Sequence, residues 1–298
     1  MTRRRTYWHL SDLGRRPTEY DIATSRLHYW AARGFEVKVP LDEWYARYQR
    51  GSPLRCTDWD QFRDPRETTY TKYTEIQHAR ETFVDGLLES IDDDYDRRLS
   101  PRWLGLLDRV LAPLRYPVHG LQMAAAYVGH LAPGGRIAIA AAFQAADEVR
   151  RVQRLAYRMR QLQETQPAFG HAARTSWQDD PIWQPLREVL ETLLVTWDWG
   201  ESLVALELVF KPAFDELFMT RLGRLARAAG DDVLERMFFS LNEDCRWHRE
   251  WSQALVATAV RDTPENTSHI EAWVERWTPR VDRAIAAFRP VFEELGPQ

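Results

Sequence analysis

Residues 135–165 read GRIAIAAAFQAADEVRRVQRLAYRMRQLQET, with no proline and no glycine after the first position. A helix of about 30 residues spans about 45 Å at 1.5 Å per residue. The first half is alanine-rich: Ala138, Ala140, Ala141, Ala142, Ala145 and Ala146 stand among Ile137, Ile139 and Phe143. Small side chains over two turns let neighbouring helices come close, which places this helix at the centre of its fold. Pro133-Gly134-Gly135 stops the preceding element and starts this one.

Working outward, the spacing predicts further amphipathic helices over about 67–98, 101–113, 117–131, 182–196, 199–228, 231–261 and 265–294. A loop is expected at 167–181, between Pro167 and Pro181. Gly230-Asp231-Asp232 reads as a break followed by an acidic N-cap. Asp262-Thr263-Pro264-Glu265 reads the same way, with proline near the first turn. Pro212 should kink the 199–228 helix. No segment alternates apolar and polar residues with period two, so no sheet is expected. The expected fold is all-α, a bundle of long helices joined by short turns.

Residues 1–65 differ from the remaining 66–298. They hold eleven of the chain's 36 aromatic residues, from Tyr7 and Trp8 to Trp59 and Phe62. Prolines at 17, 40, 53 and 65 interrupt them, so no long periodic pattern forms. Such a segment cannot build its own core, and exposed rings at this density make a sticky surface. The expectation is an extended N-terminal arm covered by the bundle or by another protein.

The composition, 44% hydrophobic and 28% charged, is that of a globular chain. Its net charge of −4 gives no basic field for nucleic acid. Arg3-Arg4-Arg5 reads as a solvated terminus, with a phosphate-binding arm as the alternative. Cys56 and Cys245 belong to no Cys/His cluster, and no apolar stretch follows the basic N-terminus. Polar residues and glycines break the apolar zone 118–146 before it reaches membrane-spanning length. The expected compartment is the cytoplasm, with no membrane association.

A long-helix bundle raises the question of a di-iron site, which needs two Glu-x-x-His pairs and two lone glutamates. The sequence has one such match, Glu75-Ile76-Gln77-His78. The central helix offers Glu148-Val149-Arg150-Arg151, with arginine at the histidine position beside Asp147. A guanidinium has no lone pair for a metal. Asp244 reaches His248 at i+4, a different spacing, and Glu201 and Glu207 find no matching glutamate in 117–131. Two readings stay open for Asp147, Glu148, Arg151, Glu201, Asp244 and His248. They form a structural polar core in the place of a metal, or they are ordinary exposed helix charges. A rival function is a free-standing ferritin-like di-iron oxidase using Glu75/His78 and Asp244/His248. No GxGxxG, P-loop, GxSxG or HExxH motif occurs.

The chain also resembles a known family. The likeness is carried by Thr6-Tyr7-Trp8-His9-Leu10, Pro17-Thr18-Glu19-Tyr20-Asp21-Ile22, Leu27-His28-Tyr29, Trp44-Tyr45 and Ser52-Pro53-Leu54. It continues in Pro113-Leu114-Arg115-Tyr116, Gln144 with Asp147 and Arg150, Asp198-Trp199-Gly200-Glu201, Lys211-Pro212 and Trp251-Ser252. In these it is similar to the β subunit of bacterial multicomponent di-iron monooxygenase hydroxylases, in the toluene and alkene monooxygenase branch.

The resemblance implies a ferritin-like bundle with no cofactor and no metal of its own. It implies an (αβγ)2 assembly with α and γ subunits, in which α holds the di-iron site and activates O2. Electrons would come from NADH through a flavin and Fe-S reductase and a Rieske-type ferredoxin, with a small effector protein regulating turnover. The arm would then be a subunit interface, built on Tyr7, Trp8, His9, Leu10, Tyr20, Leu27, His28, Tyr29 and Trp30.

Overall fold

The computed structural model describes residues 7–25 and 40–293. After a kinked 3-10 segment at Trp8–Leu13, the arm carries α1 (Glu19–Thr24) and α2 (Pro40–Tyr48). The bundle follows with α3 (Tyr70–Glu89), α4 (Tyr95–Arg98), α5 (Pro101–His130), α6 (Gly135–Thr165), α7 (Ala173–Asp179) and α8 (Gln184–Leu194). Next come α9 (Trp199–Val204), α10 (Lys211–Asp215) and α11 (Leu222–Ala228), joined end to end by π-helical turns at Ala205–Phe210 and Glu216–Arg221. The long α12 (Asp232–Asp262), then α13 (Asn266–Ala286) and α14 (Arg289–Glu293) complete it. Among the described residues there is no strand, and the fold is an all-α, ferritin-like bundle.

The alanine-rich half of α6 does pack closely. A Cβ placed on Gly129 of α5 would stand 3.2 Å from the Cβ of Ala141. Trp103, Trp183, Trp199, Trp251 and Phe210, Phe214, Phe218 and Phe238 are all fully buried. Trp183 stacks on Phe218 with ring centroids 5.7 Å apart, and the edge of Phe288 meets both rings.

Several boundaries differ from the sequence reading. Residues 101–131 were expected as two helices, yet α5 is continuous with Pro113 and Pro117 inside it. Proline at 113 removes the N–H that would bond the Arg109 carbonyl. The indole Nε1 of Trp183 donates to that carbonyl at 3.1 Å, so tertiary packing supplies the lost bond. Pro212 sits in α10 between the two π turns, in a helix run that is unbroken from Trp199 to Ala228. The expected loop at 167–181 contains α7. The expected 67–98 helix is α3 and α4 with a break at 90–94.

The arm is not extended throughout, and much of it lies on its own bundle. Phe62, Leu54, Leu10 and Tyr20 are buried. Asp64 donates its backbone N–H to the Tyr20 hydroxyl at 3.0 Å. At the start of α6, buried Arg136 donates to Asp21, Ser25 and Thr24 and to the carbonyls of Asp60 and Phe62. Asp21 closes a capping box with Thr18. Burial alone would raise its carboxyl, but bonds from Arg15, Thr18 and Arg63 hold it well below the usual range. Further on, Ser52 Oγ donates to Asp198 at 2.9 Å and accepts from the Gly200 N–H at 3.2 Å. A Cβ on Gly200 would lie 2.6 Å from that of Leu54, so only glycine fits. Arg55 exchanges two bonds with Asn266, and Thr57 binds Asp262.

Candidate functional site

Midway along α6 the inward face carries Gln144, Asp147, Glu148 and Arg151, all buried. Helical spacing places 144, 148 and 151 on one stripe, and 147 beside it. Opposite stand Glu207 in the first π turn, Lys211 and Asp215 in α10, and Asp244 and His248 in α12, every one buried.

Arg151 bridges two carboxylates, donating Nη2 to Glu148 at 2.8 Å and Nη1 to Asp215 at 3.1 Å. Lys211 Nζ meets the same pair, 3.0 Å from Glu148 Oε1 and 2.9 Å from Asp215 Oδ2. Burial pushes the Asp215 carboxyl up, but Lys211 and Arg151 outweigh it and hold it below the usual range. Burial and Arg151 push the Lys211 ammonium down, but Asp215 and Glu148 hold it above its usual value. Arg151, Lys211 and Asp215 therefore stay charged in the interior.

Around this centre the groups lose charge. Burial pushes Glu207 up to about 8, only partly opposed by Lys211 and by the 2.6 Å bond from Gln144. Gln144 in turn accepts from Trp251 Nε1 at 3.0 Å. Asp147 Oδ2 lies 2.9 Å from His248 Nε2. Burial and then Asp244 raise the Asp147 carboxyl; burial and then Lys211 and Arg151 lower the His248 imidazole. Both shifts drive the pair towards its uncharged form. On the α3 side, Asp147 accepts from Tyr73 and Gln77, each at 2.8 Å. Asp244 accepts from Gln77, Arg80 and Arg150.

Five of the six expected polar-core residues, Asp147, Glu148, Arg151, Asp244 and His248, thus come together, and the exposed-charge reading is excluded for them. Glu201 does not join. It lies about one and two-thirds turns before Glu207 and binds Arg276 and Trp277 of α13. Asp244 and His248 do not pair with each other, since one faces Arg150 and the other Asp147. Glu75 and His78 point to solvent, while Gln77 and Arg80 of the same helix face inward, so the rival ligand set is not assembled. Of the arm residues, Leu10 and Tyr20 are covered by the chain itself and Tyr7 is 42% exposed. Leu27, His28, Tyr29 and Trp30 lie outside the described residues, as do the side chains of Trp8 and His9. Lys211 and Asp215 were not read as part of the core, although Glu207, Lys211 and Asp215 recur at i+4, which marks one helix stripe.

The donor set does not fit a pair of metal ions. Glu148 and Asp215 already hold a guanidinium and an ammonium, neither of which offers a lone pair while charged. Among the described residues no group of three or more His, Cys, Asp or Glu has metal-holding geometry. The surface clefts, about 610 Å³ beside Arg221 and Arg283 and about 610 Å³ along 7–17, are lined by other residues. Among the described residues no helix is long and apolar enough to cross a membrane.

Residues 44–263 match the family model described as methane/phenol/alkene hydroxylase. The β subunit of the toluene-4-monooxygenase hydroxylase component of Ectopseudomonas mendocina is 36% identical over 95% of this chain and 89% of its own. An oxygenase component of phenol 2-monooxygenase from Pseudomonas sp. (strain CF600) is 28% identical over 92% of this chain and 81% of its own. A chain of the toluene-bound, resting-state toluene 4-monooxygenase structure superposes with a TM-score of 0.92 at 35% identity, covering 97% of both chains. The chain belongs to the methane/phenol/alkene hydroxylase family.

Proposed function

We propose that the chain is the non-catalytic, structural β subunit of the hydroxylase of an NADH-dependent di-iron monooxygenase. The complex would hydroxylate or epoxidise aromatic hydrocarbons or alkenes with O2 in the cytoplasm. The observation that carries this reading is the seating of Arg151 and Lys211 on Glu148 and Asp215 in the middle of the bundle. A ferritin-like bundle binds metal in its core, between facing helices; here two cations occupy that role.

The partners in this reading are α and γ subunits in an (αβγ)2 assembly. The di-iron site belongs to α, and a reductase, a Rieske-type ferredoxin and an effector protein act on the whole. Kinship with a named β subunit of a hydroxylase component supports this. The arm contributes to the interface through Tyr7, Trp8, His9 and the stretch Leu27–Trp30, while Leu10 and Tyr20 fix its root to the bundle.

Metal analysis of the isolated chain and of the assembled hydroxylase tests the proposal. Iron in the assembly and none tightly held by the lone chain is expected. Stoichiometric iron in the lone chain would overturn it in favour of the free-standing oxidase.

A further inference from the structure

Helix α3 is attached to the bundle in an unusual way. Of its 20 residues only Val84 and Leu88 are buried. Apart from these and the stacking of Tyr73 on Phe143, with ring centroids 4.3 Å apart, its grip is polar. Tyr73 and Gln77 donate to Asp147, and Gln77 and Arg80 to Asp244. Glu81 accepts from Arg150 Nε at 2.5 Å and also from Arg154, while Asp85 takes Arg154 Nη1 at 2.5 Å. These contacts lie over the Asp147–His248 side of the charge cluster.

The two ends of α3 are fastened separately. Before it, Asp64 accepts from Trp247 Nε1 at 2.9 Å and from Thr68 N at 2.8 Å, and Arg66 pairs with Glu250. After it, the Tyr95 hydroxyl donates to Asp231 at 3.2 Å and accepts from Val233 N at 3.1 Å, and Arg158 clasps Asp96 with two bonds.

We propose that α3 is a releasable strap, anchored at both ends, which opens as a unit over the Asp147–His248 side of the cluster while the bundle stays folded. The physical reason is the difference between losing apolar and ionic contacts. An apolar helix that lifts off exposes hydrocarbon, at about 25 cal/mol per Å². When α3 lifts off, the buried Asp147, Asp244, Arg150 and Arg154 regain the hydration that burial took from them. Opening is thus less costly for α3 than for α6 or α12, and salt lowers the cost further by screening the pairs that open to solvent. The strap belongs to this chain's own fold and stands whether or not the subunit reading holds.

Hydrogen–deuterium exchange on the full-length isolated chain tests it. The amides of α3 should exchange together, about tenfold or more faster than those in the middle of α6 and α12. The gap should widen between about 0.1 M and about 1 M ionic strength, where the screening length falls from about 10 Å to about 3 Å. Glu81→Gln should accelerate α3 alone. Exchange in α3 as slow as in α6 at both salt concentrations would overturn the proposal. So would acceleration spread evenly over the bundle, or an unchanged α3 in the Glu81→Gln chain.

Discussion

Lys211 Nζ lies 3.0 Å from Glu148 Oε1, so a lysine of one buried helix and a glutamate of another are joined with no exposure of either. Removing one member of such a group leaves its partners charged in a dry interior. Lys211→Met should therefore destabilise the chain by about 3–5 kcal/mol. The double variant with Asp215→Leu should recover part of that, because it removes an orphaned charge as well. Chemical denaturation measures both. An unshifted midpoint for Lys211→Met would mean that the cluster does not stabilise the bundle.

Glu207 should give stability a slope with pH. Its carboxyl sits at about 8 in the folded chain against an ordinary value of 4.5. The folded state thus holds a proton that the unfolded chain gives up, and this contribution is fully present below about 4.5. It is lost as pH rises to about 8. His248 acts in the opposite sense: its lowered imidazole supports the fold above the ordinary 6.5 and loses that support as pH falls. Glu207→Gln should flatten the decline between pH 5 and 8 and leave the acid limb. Urea titrations across that range decide it, and an unchanged slope would contradict the assignment.

The bond from Trp183 to the Arg109 carbonyl replaces one that Pro113 cannot make. Trp183→Phe keeps a ring against Phe218 and Phe288 but strands that carbonyl, at a cost of about 1–3 kcal/mol in addition to lost packing. In a Pro113→Ala background the restored backbone N–H can serve Arg109, so the tryptophan change should cost less there. Thermal melts of the four chains form the cycle. Strict additivity would show that the carbonyl is satisfied some other way.

Arg136 holds the root of the arm. Arg136→Met removes the donor shared by Thr24, Ser25, Asp21, Asp60 and Phe62. Limited proteolysis should then cut within residues 1–25 at an early time, with the helical circular-dichroism signal retained. Deletion of residues 1–35 should in addition abolish co-purification with an α partner. A digestion pattern identical to the wild type would remove Arg136 from this role.

The all-α bundle was legible because α6 and α12 carry long uninterrupted 3.6-residue patterns, with punctuation at Gly134-Gly135 and Asp231-Asp232. The break expected at Pro113 was misplaced because its remedy, Trp183, lies 70 residues away in sequence. In the same way, the i, i+3 relation of Glu148 and Arg151 was visible, while the choice of Glu207 over Glu201 was not. Glu201 and Glu207 differ by about one and two-thirds turns, and only the position of α13 assigns the first to Trp277 and leaves the second facing Gln144. The π turns have no signature in residue periodicity at all.

The ties of the early segment reach far down the chain: Ser52 to Asp198 and Gly200, Thr57 to Asp262, Arg55 to Asn266. On the ribosome, where synthesis runs from the N-terminus, the surfaces that receive these residues do not yet exist when the residues emerge. Contacts so distant in sequence also close slowly. This early stretch is therefore among the last to settle, and its aromatic rings stay uncovered while the downstream helices are still being made. That interval, more than any weakness of the finished bundle, is when the nascent chain needs shielding from self-association.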